Sequence, residues 1–339
     1  MRYKFSDLYY DDTKNAKKLK SSEYKNIGKY IIVDQGKSLI AGYTDNEDGL
    51  YTDVPVIIFG DHTRNIKYIN SPFFLGADGT KVLKSSLKNA NYKYLYYLLK
   101  NASIPDTGYN RHYKWLKELM FEYHSQEQQN QIVTILDKLD LTISKYREEL
   151  LLLDELVKAR FVEMFGDPIY NTQNRPMTEF INVVKMQRVY DLPVQDRNHE
   201  GSIPVYGANG VLGYHDVAKI NNGGIITGRS GTIGKVYLAN KEYWPLNTSL
   251  FSIETYGNNL IYLQYLVTLY DLKRFVEGTG VPTLNRNMFH NKKIIEVPIN
   301  EQNTFASFVE EVDKSRSRIQ KSLEASQELF DSLMQDYFG

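Results

Sequence analysis

The feature that most constrains this chain is a long segment that occurs twice. Residues 126–166 align without a gap with residues 299–339, at an offset of 173 positions. Identical residues stand at Gln129/Gln302, Asn130/Asn303, Asp140/Asp313, Ser144/Ser317, Leu150/Leu323, Glu155/Glu328, Leu156/Leu329, Phe165/Phe338 and Gly166/Gly339. A repeat of this length predicts two similar structural units rather than one continuous domain.

Both copies have the apolar pattern of a long helix. Apolar residues alternate steps of four and three at Ile132, Leu136, Leu139, Ile143, Tyr146, Leu150, Leu153 and Val157, and again at Phe305, Val309, Val312, Ile319, Leu323 and Phe330. This period of about 3.5 residues is typical of a coiled-coil seam. Arg316 and Ser326 weaken the second copy, and Gly166-Asp167-Pro168 is a helix-stop signal after the first.

The two helices have matching lengths on one chain, so we expect them to pair as an antiparallel intramolecular coiled coil. The alternative is that each helix only caps a separate core. The blocks before the helices also correspond, although more loosely. Similar pairs are residues 35–43 and 207–214, residues 56–63 and 224–232, and Asn110-Arg111 and Asn285-Arg286.

The sequence therefore predicts an α+β fold in which two similar mixed blocks alternate with two long helices. The expected divisions are a first mixed domain at 1–125, a first helix at 126–167, a second mixed domain at 168–300 and a second helix at 301–339.

The second mixed block has clear strand and turn signals. Residues 202–206 predict a strand that ends in the turn 207–210, and residues 224–227 and 236–239 predict a hairpin whose tip is 228–235. Residues 258–277 have helical spacing. The tip, Gly-Arg-Ser-Gly-Thr-Ile-Gly-Lys, lacks the Gly-Lys-Ser/Thr ending of a Walker loop. It does not fit a dinucleotide fingerprint either, because that motif opens a helix and here a strand follows. It is either a structural turn or a tip that meets DNA.

Charge is distributed in alternating blocks although the whole chain is neutral. Residues 1–125 carry 19 Lys and Arg against 14 Asp and Glu, and residues 168–300 carry 13 against 10. The helical segments carry 5 against 9 and 4 against 8. Two nucleic-acid-facing domains joined by solvated helices would produce this alternation.

Composition excludes several classes of site. The chain has no cysteine, which rules out disulfides, thiolate metal sites and cysteine nucleophiles. No long apolar run and no apolar signal core at the start are present, so we expect a cytoplasmic protein without membrane association. The 27 tyrosines can stack on bases, but they also fill cores.

The second block resembles a known family. IPVYGANGVLGYHD, IITGRSGTIGKVY and GTGVPTLNRNMFHNKKIIEVPINEQ, followed by the long helix, resemble the DNA-specificity subunits of type I restriction-modification systems. The first block has a looser version, GYNRHYKWLKELMFEYHSQEQ, with Gly-Asp-His-Thr-Arg at 60–64 in place of the glycine-rich tip.

The resemblance implies two target-recognition domains that read the halves of a bipartite, asymmetric site in double-stranded DNA. It implies that the helices set the distance between the domains and provide a docking surface. The partners would be two methyltransferase subunits, which bind S-adenosylmethionine, together with restriction or translocase subunits. No cofactor, metal or catalytic residue is expected in this chain itself.

Candidate DNA-binding residues are polar or basic side chains at the matched turns. In the second block they are Tyr206, Asn209, Arg229, Ser230, Thr232, Lys235, Asn285 and Arg286. In the first block they are Lys37, His62, Thr63, Arg64, Arg111, His112 and Lys114. Arginine can contact guanine bidentately, and lysine can neutralise a phosphate.

Three rival functions stay open. The first, a fused methyltransferase or nuclease, is disfavoured, because Asp167-Pro168-Ile169-Tyr170 lacks the second proline of an amino-methyltransferase motif, and Asp191, Asp196 and Glu200 resemble a solvated loop. The six histidines have no metal-ligand spacing. The second is the specificity chain of a type IIB-like restriction system, and the third is a coiled-coil scaffold that binds no DNA.

Overall fold

The computed structural model describes residues 2–76, 78–108, 110–188, 190–198, 200–277 and 282–339. The chain divides into two compact units. Unit 1 comprises Met1–Lys145 and Ser322–Gly339, and unit 2 comprises Tyr146–Lys321. Both divisions fall inside long helices, so each unit contains one mixed block and a part of each helix.

Unit 1 contains nine short strands and three helices, apart from the long ones, among its described residues. They are β1 (Arg2–Lys4), α1 (Phe5–Leu8), β2 (Tyr9–Asp11), β3 (Tyr30–Val33), β4 (Gly42–Thr44), β5 (Val56–Gly60), β6 (Ile66–Ile69), β7 (Phe73–Leu75), β8 (Thr80–Ser85), α2 (Tyr92–Lys100), α3 (Tyr113–Leu116) and β9 (Met120–Glu122). Short 3₁₀ turns lie at Thr13–Asn15 and Ser21–Glu23.

The long helices are α4 (Gln126–Phe165) and α7 (Ile299–Phe338), each 40 residues long. Gly166 ends α4 in a left-handed conformation, with φ of 79°, and its amide donates to the carbonyl of Val162 at 2.9 Å. The helix stop predicted at Gly166-Asp167-Pro168 is therefore confirmed. The second helix begins two residues before the predicted start, directly after Pro298.

Unit 2 has the following shorter elements in its described part. They are β10 (Met177–Glu179), α5 (Phe180–Val183), β11 (Lys185–Gln187), β12 (Ile203–Gly207), β13 (Gly210–His215), β14 (Gly224–Gly228), β15 (Val236–Ala239), β16 (Trp244–Pro245), β17 (Ser249–Glu254), α6 (Leu260–Leu269), β18 (Val276–Glu277), β19 (Thr283–Leu284) and β20 (Lys293–Ile295). The 3₁₀ turns are Val194–Asp196, Leu272–Phe275 and Arg286–Met288.

The sheets of the two units have the same strand order. Unit 1 has a four-stranded sheet β2-β8-β5-β6 and a three-stranded sheet β4-β3-β7, and unit 2 has β11-β17-β14-β15 and β13-β12-β16. In both three-stranded sheets one pair is parallel, β3 with β7 and β12 with β16. A pair that joins the start of each block to its end, β1-β9 or β10-β20, completes the correspondence. The sequence repeat is thus accompanied by a repeat of topology.

The central strands β5 and β14 are buried along their whole length, which explains why VIIFG and GIITG are continuous apolar runs rather than alternating ones. The helices α2 and α6 pack against these sheets and begin in the same way. The side chain of Asn91 accepts from the amide of Tyr94, and that of Asn259 accepts from the amide of Ile261. An N-cap asparagine satisfies amides that the first turn leaves free.

The long helices run antiparallel within unit 2. Arg316 on α7 pairs with Asp154 on α4 at 2.7 Å, and the ring of Phe305 lies 5.4 Å from that of Phe161 and 5.6 Å from that of Phe165. In unit 1 the buried residues Leu136 and Ile143 of α4 share a core with residues of α7, Phe330 and Met334. The predicted seam residues are buried or half-buried throughout.

One helix prediction was too long. The helical spacing at 258–277 predicted a single helix, but α6 ends at Leu269. Asp271 has a left-handed φ of 52°, and its side chain caps a separate 3₁₀ turn at Leu272–Phe275. Leu272 fits the apolar spacing of the predicted helix, but it lies in this 3₁₀ turn, which buries its side chain. No helix in the part of the chain that the structure describes is long and apolar enough to cross a membrane.

Candidate nucleic-acid interface

The glycine-rich tip 228–235 connects two paired strands, as the sequence predicted. Thr227 of β14 pairs with Val236 of β15 in antiparallel register. A Cβ on Gly228 would lie 1.8 Å from the carbonyl oxygen of Thr232, so this position requires glycine. Gly231 has φ of 79°, and a Cβ there would meet nothing within 4 Å. The first glycine lets the tip fold back, and the second lies open at its end.

Backbone hydrogen bonds bring a distant segment to this tip. The amide of Arg229 donates to the carbonyl of Thr248 at 2.9 Å, and the amide of Leu284 donates to the carbonyl of Arg229 at 2.8 Å. Ser230 and Thr283 form an isolated antiparallel bridge beside them. These bonds place the 3₁₀ turn Arg286–Met288 next to the tip, and the side chain of Asn285 caps that turn.

The turn 207–210 also lies beside the tip. A Cβ on Gly228 would come within 3.1 Å of the carbonyl oxygen of Ala208. Asn209, the next residue, is exposed. The structure therefore brings together Asn209, the tip and the segment that carries Asn285 and Arg286, although they are far apart in the sequence.

Three arginines line one cavity at this place. Arg188, Arg229 and Arg286 surround a volume of about 300 Å³, together with Leu250 and Leu284, which are buried. Arg188 comes directly after β11 and was not among the residues chosen from the sequence. Within the described ranges, no carboxylate forms an ion pair with any of these three arginines.

The electrostatics of this cavity are those of an uncompensated positive cluster. Partial burial, and secondly the like charge of Arg188, lower the pKa of Arg229. Burial, and then the charges of Arg286 and Lys185, lower the pKa of His290 to about 4. His290 Nε2 accepts from the amide of Met186 at 3.2 Å, so the neutral ring links the arginine-bearing turn to β11. Neighbouring positive charges without a carboxylate favour an anionic ligand.

The remaining candidates of unit 2 differ in exposure. Lys235 is exposed at the base of the tip, whereas Ser230 and Thr232 are half-buried. Tyr206 is buried, with its ring 5.7 Å from that of Tyr243. Its place in this core indicates a packing role.

Asp61 of unit 1 is the structural counterpart of Arg229 of unit 2, as their backbone hydrogen bonds show. The amide of Asp61 donates to the carbonyl of Gly79 at 2.6 Å, and the amide of His112 donates to the carbonyl of Asp61 at 2.8 Å. These two bonds match those of Arg229 with Thr248 and Leu284. His112 thus corresponds to the buried Leu284, so the apparent match of Asn110-Arg111 with Asn285-Arg286 is wrong by three positions.

His112 is fully buried for the same reason. Its ring Nδ1 lies 2.9 Å from the carbonyl oxygen of Asp61, and its Nε2 lies 3.4 Å from Thr107 Oγ1. The carboxylate of Asp61 accepts from the amide of Tyr113 at 2.7 Å. The histidine therefore holds this corner of the fold and does not present its ring to solvent.

The corresponding cavity of unit 1 has mixed charge. It encloses about 320 Å³, and its charged lining residues are Lys18, Asp61, Asp78, Lys81 and Arg111. Lys18 pairs with Asp78 at 2.8 Å, and Lys81 pairs with Asp11 at 2.7 Å. The basic groups here are largely neutralised by the protein itself.

The other candidates of unit 1 surround this cavity or lie near it. Thr63 Oγ1 donates to the carbonyl of Gln35 at 2.5 Å, which joins the loop carrying the exposed Lys37 to the turn 61–65. His62 lines the cavity. Arg64 is held by Asp106 at 2.6 Å. The exposed Lys114 lies 4.8 Å over the ring of Trp115.

Comparison with known proteins finds a matching family and similar solved structures. Residues 171–327 match the family described as type I restriction modification DNA specificity domain. This chain resembles a type I specificity subunit. The resemblance read from the sequence is therefore confirmed, and the matched residues include the tip, the turn 207–210 and all three arginines of the cavity. No match was found among curated protein sequences.

Two solved structures from type I restriction-modification systems share the fold, and a third has a lower similarity. A type I restriction-modification S subunit from M. genitalium is similar over 100% of this chain and 96% of its own, with a TM-score of 0.67 and 17% identity. A chain from a study of complex assembly and conformational transition of the type I R-M system covers 99% and 97%, with a TM-score of 0.50 and 12% identity. The HsdS subunit from Thermoanaerobacter tengcongensis covers 99% and 96%, with a TM-score of 0.40 and 11% identity.

Some residues that the sequence analysis considered lie outside the described part of the structure. Residues 278–281 of the motif GTGVPTLNRN and His199 are among them. Among the residues that are described, His, Asp and Glu form no group of three that could hold a metal ion.

Proposed function

We propose that this chain reads DNA sequence for a type I restriction-modification complex and catalyses no reaction itself. The observation that carries the proposal is the cluster of Arg188, Arg229 and Arg286, which lies in the matched specificity domain and has no carboxylate partner among the described residues. A positive cavity beside an exposed polar tip suits a duplex, whose backbone is anionic and whose base edges offer hydrogen-bond groups.

Each unit would act as one target-recognition domain on one half of a split site. The repeated topology supports two readers, and their different side chains support two different half-sites. Arg229 faces one half and Asp61 replaces it in the other, so an asymmetric target is expected. We propose that the length of the two long helices sets the unread gap between the halves.

The proposed contact residues are the candidates that are exposed or half-buried, together with Arg188 of the cavity. In unit 2 we propose Arg188, Asn209, Arg229, Ser230, Thr232, Lys235, Asn285 and Arg286, and in unit 1 Lys37, His62, Thr63, Arg111 and Lys114. We exclude Tyr206 and His112 because they are buried, and Arg64 because Asp106 holds it. Basic members would orient the protein on phosphates, and a few polar side chains would distinguish bases.

The methyl transfer and the cleavage would belong to partner subunits. We propose two methyltransferase subunits, which supply the S-adenosylmethionine site, and restriction or translocase subunits beyond them. Solvated faces of α4 and α7 would be available for this docking; the exposed apolar residues Leu151, Leu152 and Leu156 lie on α4.

The proposal is tested by selecting duplexes from a random library with the purified chain. Enrichment of two short specified halves around a constant unread gap is the expected result. Enrichment of one continuous motif would contradict the proposal that the two units read separate half-sites. Absence of any duplex affinity would favour a scaffold that binds no DNA. Cleavage of the library by the chain alone would identify a nuclease.

A further inference from the structure

We propose that the cavity of Arg188, Arg229 and Arg286 receives a single phosphate of the DNA backbone, and that the corresponding cavity of unit 1 does not. This inference rests on the proposed DNA binding and specifies how unit 2 holds the duplex. It gives these three arginines a positioning role that is independent of base sequence.

The shape of the site favours a phosphate over a base. Base edges lie recessed in the grooves of a duplex, so side chains that read them must protrude. Arg229 and Arg286 are half-buried, and the cavity has the buried side chain of Leu250 at its wall. Phosphate groups stand out from the duplex surface and can enter a concave site.

The presence of three arginines also favours a phosphate over a base edge. A guanine edge offers two acceptors, O6 and N7, which one arginine satisfies. Two further guanidinium groups would then lack an acceptor. A backbone phosphate shares one negative charge between two non-bridging oxygens, and each of these oxygens has lone pairs for more than one arginine N–H. The like charge of Arg188, which contributes to the lowered pKa of Arg229, would be compensated by the bound anion.

The backbone holds the three arginines in fixed relation to one another. Arg229 is bonded through its carbonyl to Leu284, two residues before Arg286, and His290 ties the same turn to Met186, two residues before Arg188. Such preorganisation lowers the entropic cost of binding. The cavity is therefore a built feature of the sheet end rather than a chance meeting of long side chains.

Unit 1 lacks the charge for this ligand. Asp61 takes the backbone position of Arg229, and Asp78 already neutralises Lys18 at the cavity. An entering phosphate would meet carboxylates there. The two units would thus hold the backbone differently, although their strands correspond.

The test uses the full chain and a duplex of random sequence, with affinity measured by fluorescence anisotropy at several salt concentrations. The variant R188Q/R229Q/R286Q is compared with wild type. The slope of log affinity against log salt should become shallower by about 0.9, because one phosphate contact on B-DNA contributes that amount. K241Q is the control, since Lys241 is exposed just beyond β15 at the end away from the tip.

Other results would overturn the proposed phosphate site or the proposed DNA binding itself. A slope that is shallower by about three times 0.9 would mean that each arginine contacts its own phosphate. This result would overturn the proposal that the cavity binds a single phosphate. An unchanged slope would also overturn it, as would loss of target preference with unchanged affinity for random duplex. If wild type itself bound no duplex, the proposed function would fail first. Thermal melting verifies folding, and the variant should melt no lower than wild type because it loses like-charge repulsion.

Discussion

Gln129 and Gln302 make the same hydrogen bond in the two units. Each side-chain amide donates to the carbonyl oxygen five residues earlier, that of His124 at 2.9 Å and that of Val297 at 2.8 Å. Both glutamines are buried, at 1% exposure. The asparagines that follow, Asn130 and Asn303, each accept from the N-cap asparagine of a sheet-packing helix. The repeat in the sequence is therefore a repeat of polar contacts that anchor each mixed block to a long helix.

Replacing Gln302 should destabilise unit 2 strongly. Gln302 also donates to Asn258 at 2.7 Å and accepts from the amide of Asn259 at 2.8 Å. Q302L should lower the free energy of unfolding by about 2–4 kcal/mol, because buried partners lose their hydrogen bonds. Chemical denaturation measures the change. Q131L, at an exposed position of α4, is the control and should change it little. Equal effects of both variants would show that the anchor is unimportant.

Stability should fall as the pH drops below neutrality, in part through His290. Its pKa is about 4 in the folded chain against an ordinary 6.5, so between these values the unfolded chain binds a proton that the folded chain does not. This contribution is fully present above pH 6.5 and is lost as the pH falls towards 4. H290Q keeps an acceptor for the amide of Met186 but does not titrate. Its melting temperature should decline less than that of wild type between about pH 7 and pH 5, and identical declines would contradict the assignment.

Removing Asp78 should strengthen binding to random duplex. The carboxylate pairs with Lys18 and lies on the cavity that Arg111 also lines. D78N should raise affinity roughly twofold to fivefold at low salt, since it removes one exposed charge that repels the duplex and that salt screens. D48N removes a similar exposed partner, that of Lys17, from a site outside this cavity. Equal gains for both variants would mean that only net charge matters.

The pairing of Arg316 with Asp154 should contribute little to the stability of unit 2. Arg316 occupies a seam position between Val312 and Ile319, and it is neutralised by Asp154 and Asp313. Because Asp154 is about half exposed, R316L should leave its carboxylate solvated and add apolar contacts. We expect an unfolding free energy that is unchanged or up to about 1 kcal/mol higher by urea titration. A loss of several kcal/mol would show that the ion pair sets the register of the helices.

The elements with a strong local signal could be predicted from the sequence. The long helices, the turn 207–210 and the hairpin tip all have a periodic or glycine-rich pattern, and the structure places them within a few residues of the predictions. The end of α6 was missed because Leu272 remains apolar and buried while Asp271 turns the chain. Burial alone does not show which local conformation produces it.

The side chains of the site could be predicted only in part. Arg188 was missed because it lies 41 residues before Arg229 and approaches it only when β11 and β14 both pair with β17. His112 was chosen because it is polar and lies next to Arg111, but backbone pairing gives it the place of a core leucine. Tyr206 was chosen in the same way, and the structure places it in a core. Which side of a strand faces the core depends on register, and the sequence repeat was too loose here to fix the register.

The most direct test is to co-express the chain with a type I methyltransferase subunit that binds it and to map methylated adenines across a host genome. We expect one split motif, with two different short halves around a fixed unread gap, that disappears when this chain is omitted. Methylation that persists without the chain would show that this chain does not select the target, and a single continuous motif that depends on it would show that the chain does not read two separate half-sites.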